Sequence, residues 1–68
     1  MRQVFLYRGE DGYWVVECPS LPGCISQGRT KGEAISNIRE AIAGWLEAAT
    51  ANGQPIPNED FDTQVVCV

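Results

Sequence analysis

Gly28-Arg29-Thr30-Lys31-Gly32-Glu33-Ala34-Ile35 is the stretch where the period of the sequence changes, and the fold is read outward from it. Thr30-Lys31-Gly32-Glu33 has the form of a capping box: the Thr30 hydroxyl can accept from the Glu33 amide, and the Glu33 carboxylate can reach back to Thr30. Beyond it Ala34, Ile35, Ile38, Ala41, Ile42, Trp45, Leu46 and Ala49 recur at three- and four-residue steps. That spacing predicts one long helix with a broad apolar stripe to lay on a sheet, and it puts Trp45 in the core. Asn52-Gly53 is a stop signal, with Gly favoured just past a C-cap, and Pro55 and Pro57 prevent continuation. Glu33, Glu40 and Glu47 fall seven apart on another face, which is either an ordinary solvated face or an acidic contact line.

Upstream, residues 2–8 and 13–18 are apolar, β-branched and aromatic runs separated by Gly9-Glu10-Asp11-Gly12, which reads as a hairpin. Pro19-Ser20-Leu21-Pro22-Gly23 makes a rigid connection, because two prolines fix φ and Gly23 can take the positive φ of a tight turn. A short third strand is expected at Cys24-Ile25-Ser26-Gln27. Downstream of the helix, residues 61–68 are β-prone and are expected to return to the sheet. The predicted fold is α+β, in the order β-β-β-α-β: an antiparallel sheet with one long helix packed on one face. It forms a single domain over residues 1–68, with no repeat or interdomain linker in the sequence.

Composition narrows the function. A chain of 68 residues buries only about 60% of the surface it exposes when unfolded, so its core is thin and supplies about 3–5 kcal/mol. Burial against a partner or a second copy therefore matters. A net charge of −4 is the wrong sign for a lone nucleic-acid binder, which needs Lys and Arg to displace counterions, and a basic partner suits it better. The apolar run at the N-terminus is too short for a signal peptide or a membrane span, so a cytoplasmic protein is expected. Cys18, Cys24 and Cys67 are odd in number with no Cys-x-x-Cys pair, and they read as reduced thiols, neither disulfide framework nor zinc site.

The chain has no His, which removes the usual neutral-pH proton carrier and every His-based triad or metal motif. The glycines open no phosphate-cradling helix with a lysine behind it, and the serines and cysteines lack a visible base. Glu10 and Asp11 could in principle share a divalent metal, but adjacent carboxylates in a turn ordinarily face water. Neither a cofactor nor a catalytic residue is expected.

Gly12-Tyr13-Trp14-Val15-Val16-Glu17, the run from Pro19 through Leu21-Pro22-Gly23-Cys24 to Gly28-Arg29-Thr30, then Glu33-Ala34, Asn37, Glu40-Ala41 and Gly53-Gln54-Pro55-Ile56-Pro57 follow one another in an order and spacing that resembles the HicB antitoxin family. The likeness covers about residues 4–57. It implies a partial RNase-H-like domain that is not a nuclease, and that binds and masks a small HicA toxin, an mRNA-cleaving protein shaped like a double-stranded-RNA-binding domain. An acidic cover would steer onto such a basic protein and shield its RNA-binding face. The chain does not resemble the toxin, whose activity depends on a histidine. Two departures stand out. Ser20 occupies a position where the family commonly has Asp, and only eleven residues follow Pro57, where many members continue into a helix-turn-helix or ribbon-helix-helix segment. A separate DNA-binding domain and direct DNA repression are therefore not expected.

Structure accounts for most of the motif. The residues left over as candidates for partner binding are Glu10 and Asp11 at the hairpin tip, the exposed face of Tyr13 or Trp14, Ser20 and Leu21, and Glu40 and Glu47 on the helix. Toxin neutralisation is the leading reading. A stand-alone homo-oligomer, dimer or tetramer, that self-assembles through its sheet edge or outer helix face is the alternative. A residual metal-dependent nuclease ranks third.

Overall fold

In the computed structural model, which describes residues 2–59 and 64–68, the hairpin forms around its turn chemistry. Asp11 Oδ1 accepts from the Tyr13 amide at 3.1 Å, while the Gly9 amide donates to the Tyr13 carbonyl at 2.7 Å. Strand β1 (Phe5–Arg8) pairs antiparallel with β2 (Trp14–Glu17), which pairs antiparallel with β3 (Ile25–Gly28), so β2 is central. Helix α1 (Lys31–Ala51) follows.

The register lines up Leu6, Val16 and Ser26 in one row and Phe5, Glu17 and Ile25 in the next. With a side-chain period of two, Leu6, Trp14 and Val16 point toward α1, and Phe5, Tyr7, Val15, Glu17, Ile25 and Gln27 point away from it. Val16, Cys18, Leu21, Cys24, Ala34 and Ile38 form the buried core, with Trp45 and Leu46 packed on its margin. Full burial of side chains such as Leu21 and Ile38 stabilises by about 1.5–3 kcal/mol each.

The connection from β2 to β3 folds inward. Cys18 N donates to Cys24 O at 2.9 Å, Leu21 N to Cys18 O at 3.1 Å and Cys24 N to Leu21 O at 3.1 Å, which turns Leu21 under the helix. The Trp45 indole N–H holds this loop from the helix side, donating to Pro22 O at 3.0 Å. Asn37 Nδ2 ties α1 to β3 through Gln27 O at 2.8 Å.

Thr30 is the N-cap, its hydroxyl accepting from the Glu33 amide at 3.1 Å. The reciprocal bond of the capping box differs from expectation: Glu33 Oε1 accepts from the amide of Arg29, one residue before the cap, at 3.2 Å. At the other end Gln54 N donates to Ala49 O and Gly53 N to Thr50 O, the paired bonds of a Schellman motif. Gly53 supplies the positive φ of 68° that the motif requires.

The expected fourth strand is corrected in part. Residues 61–63 lie outside the described residues, while 64–68 carry no strand pairing, and Val65, Val66 and Val68 are exposed. High β-propensity reflects fit to a pleated, half-buried surface, and it does not by itself seat the Val-rich run on a sheet edge. Over the described residues the architecture is β-β-β-α.

Candidate functional site

Helix α1 covers one face of the sheet only, packing over β3 and β2. The opposite face presents Phe5, Tyr7, Val15 and Ile25 around Glu17. Tyr7 is 46% exposed and Ile25 55% exposed, although both are large apolar side chains. Glu17 is fixed within this patch: Tyr7 Oη donates to its Oε2 at 2.9 Å, and that bond to the carboxylate raises the Tyr7 hydroxyl above its ordinary pKa.

Arg8, the one basic residue in the three strands, is directed to the other face. There its guanidinium lies 5.4 Å from the Trp14 ring centroid, with the Lys31 ammonium 4.8 Å from the same ring. The outward-pointing strand side chains are thus apolar or aromatic apart from one carboxylate, Glu17, and one amide, Gln27, with no cation. At one end of the patch, Phe5, Glu17, Pro19, Pro22, Gly23 and Ile25 border a hollow of about 210 Å³. An aromatic and aliphatic surface around a fixed carboxylate can accept an apolar anchor flanked by a cationic side chain.

The residues singled out from sequence do not come together. Glu10 and Asp11 lie exposed at the β1–β2 turn, where Asp11 also holds the turn, and Tyr13 is half-buried beside them. Trp14 faces the helix side, packed against the core with cations over its ring, and offers no free anchor on the outer face. Glu40 and Glu47 are exposed on the helix.

Ser20 and Leu21, expected to be free of structural duty, both have structural work to do. Leu21, 1% exposed, is a core residue that the inward loop bonds drive under α1. The buried Ser20 hydroxyl accepts from Arg2 Nη1 at 3.0 Å and donates to Glu59 Oε1 at 2.6 Å. Glu59 also accepts from the Gln3 amide at 2.9 Å, and Arg2 donates to Pro57 O at 2.7 Å, so the segment after the helix is pinned beside the lead-in to β1. The hydrogen bond from Ser20, then that from Gln3, with help from the Arg2 charge, holds the Glu59 carboxyl below the usual range. Phe5, Tyr7, Glu17 and Ile25 were missed by the sequence reading. Their signal is the alternation within each strand, which separates them from Leu6, Val16 and Cys24.

Among the described residues no group of three or more His, Cys, Asp or Glu converges as a metal site, and no helix is long and apolar enough to cross a membrane. The free thiols of Cys18 and Cys24 are buried, and burial, followed by the neighbouring Cys18, raises the Cys24 pKa.

The fold and this face define a small α+β domain with an uncovered apolar sheet surface. Comparison with known proteins gives the family: residues 3–65 match the model of the HicB_like antitoxin of bacterial toxin-antitoxin systems, and the chain belongs to that family. It is 46% identical over 59 residues to a UPF0150 protein of Thermoplasma acidophilum, covering 87% of this chain and 86% of the relative. It is 49% identical over 58 residues to a UPF0150 protein of Synechocystis, covering 85% and 73%. The crystal structure of the N-terminal domain of the Burkholderia pseudomallei antitoxin HicB superposes with a TM-score of 0.68 at 29% identity, over 96% of this chain and 68% of that one.

Proposed function

We propose that this antitoxin-family protein neutralises a basic, mRNA-cleaving toxin of the HicA type in the cytoplasm by direct protein binding, and that it docks through the sheet face opposite α1. The observation that carries the reading is that face itself: Tyr7 and Ile25 stand exposed and Phe5 and Val15 half-buried around Glu17, with no outward cation among the strand residues. Glu10 and Asp11 extend its negative potential at the hairpin end, and a net charge of −4 speeds encounter with a cationic partner. The domain acts by covering a surface and performs no catalysis.

Co-expression with a HicA-like protein from the same genome tests the proposal, scored by growth rescue and co-purification. Ile25→Asp, at a half-exposed position, leaves the fold intact and abolishes both readouts, whereas Glu40→Gln on the helix leaves both unchanged. Rescue by Ile25→Asp equal to that of the unmodified chain would overturn the choice of face, and failure of the unmodified chain to bind would overturn the function. Self-association, as a dimer or tetramer, is a second reading, favoured by a separate surface beside β1.

A further inference from the structure

The helix leaves the β1 side of the sheet thinly covered. Between the lead-in to β1 and α1 runs a groove of about 620 Å³, whose apolar walls are Val4 on one side and Ile35, Ile38, Ile42 and Leu46 on the other, with Arg2 and Arg39 at its rim. Among the described residues the outer edge of β1 pairs with no strand, since the sheet runs β1-β2-β3.

The same chain carries a segment that matches what is missing. Gln64-Val65-Val66-Cys67-Val68 is β-prone and apolar, yet it stands away from the domain, with Val65 93% and Val66 67% exposed and Cys67 exposed beside them. A free edge, a vacant apolar groove and an uncovered Val-rich segment on one molecule are three liabilities that a reciprocal exchange between two copies removes together.

We infer that residues 64–68 of one copy add as a strand to the outer β1 edge of a second copy, placing aliphatic side chains in the groove lined by Val4, Ile35, Ile38, Ile42 and Leu46, in a two-fold symmetric exchanged dimer. Backbone pairing along β1 supplies the ladder, and the groove reads alternate side chains of the incoming strand. The occupant is a second copy because the structure leaves the segment off its own groove. The contact deepens the self-association reading and does not involve the toxin-binding face, which lies on the other side of the sheet.

The test is light scattering on the full chain and two variants, each checked for fold by circular dichroism. The unmodified chain runs as a dimer. Substituting Val65, Val66 and Val68 together by Asp weakens the dimer by about tenfold or more for each valine that occupied the groove, the equivalent of losing its burial. Ile42→Asp does the same from the groove side. Mixing the two variants restores a dimer containing one copy of each, because the intact segment of one fits the intact groove of the other. A monomeric unmodified chain would overturn self-association altogether. A dimer that survives the triple substitution, or variants that fail to complement, would overturn the exchange while leaving self-association standing.

Discussion

Replacing Gly28 by Ala tests whether the junction of β3 and α1 is as tight as the structure places it. A Cβ at Gly28 would lie 2.5 Å from the Ala34 amide nitrogen and 2.9 Å from both the carbonyl carbon and the Cβ of Glu33. The first of these falls about 0.9 Å short of the 3.4 Å at which ordinary contact begins. The obstacle is helix backbone in the first turn, and it cannot give way without loosening two bonds that start the helix, Ala34 N to Thr30 O at 3.0 Å and Glu33 N to Thr30 Oγ1 at 3.1 Å. Overpacking of this kind costs about 1–3 kcal/mol, and a weakened N-cap adds up to about 1. The lower entropy of the unfolded Ala chain returns only about 0.4–1. The net loss is about 1.5–3 kcal/mol, roughly a third or more of the stability a domain of this size has. Gly44→Ala is the control: its Cβ meets nothing within 4 Å in mid-helix, so it should stabilise by about 0.8–1 kcal/mol. Urea unfolding followed by far-ultraviolet circular dichroism, at matched protein concentration, reads both. With a slope near the low end for small proteins, about 1 kcal/mol per molar, the midpoint should drop by more than about 1 M for Gly28→Ala and rise for Gly44→Ala. A Gly28→Ala midpoint equal to or above that of the unmodified chain would refute the packing argument.

Glu59 makes the fold acid-sensitive in a defined window. Its folded-state pKa lies below the ordinary value of 4.5, so the stability it contributes is present above that value and is lost as pH falls through the lowered one. Glu59→Gln should therefore be less stable than the unmodified chain near neutral pH, and the two urea midpoints should converge in acid; parallel curves down to the lowest pH would show that the contact is not formed. The two core thiols give an independent reading of global opening. In a Cys67→Ser background, Cys18 and Cys24 should react with a thiol reagent about a hundred to several thousand times more slowly than in the unfolded chain, as 3–5 kcal/mol of stability requires. Rapid labelling of either thiol in the folded protein would contradict their burial.

Local chemistry was legible where a few neighbouring residues decide the outcome. Thr30 and Glu33 mark the helix start and Asn52-Gly53 its end, because cap geometry depends on one hydroxyl and one positive φ. The hairpin was legible for the same reason. The fate of residues 64–68 was not, because propensity says that a segment suits a sheet but not which edge, or whose edge, receives it. The open sheet face was hidden differently. Leu21 and Ile25 look alike as isolated aliphatic residues near a turn, yet loop bonds bury one and strand alternation exposes the other. Trp14 and Tyr7 trade places for the same reason. The more conspicuous aromatic belongs to the helix side, and the less conspicuous one stands on the open face holding Glu17.

Ser20 shows how one buried hydroxyl can tie distant segments of the chain together. A carboxylate meets the Ser20 hydroxyl from far along the chain: Glu59 arrives from 39 residues away and accepts from Ser20 at 2.6 Å, with Arg2 3.6 Å from its oxygen. The arrangement has a consequence for topology. A local Asp would satisfy Arg2 without recruiting the segment beyond the helix, whereas here the pairing of Arg2 with Pro57 and Glu59, and of Glu59 with the Gln3 amide, fastens that segment to the lead-in of β1. The chain is thereby fastened at Glu59 beside the lead-in to β1, and the exchange of residues 64–68 between copies leaves this contact in place within each copy.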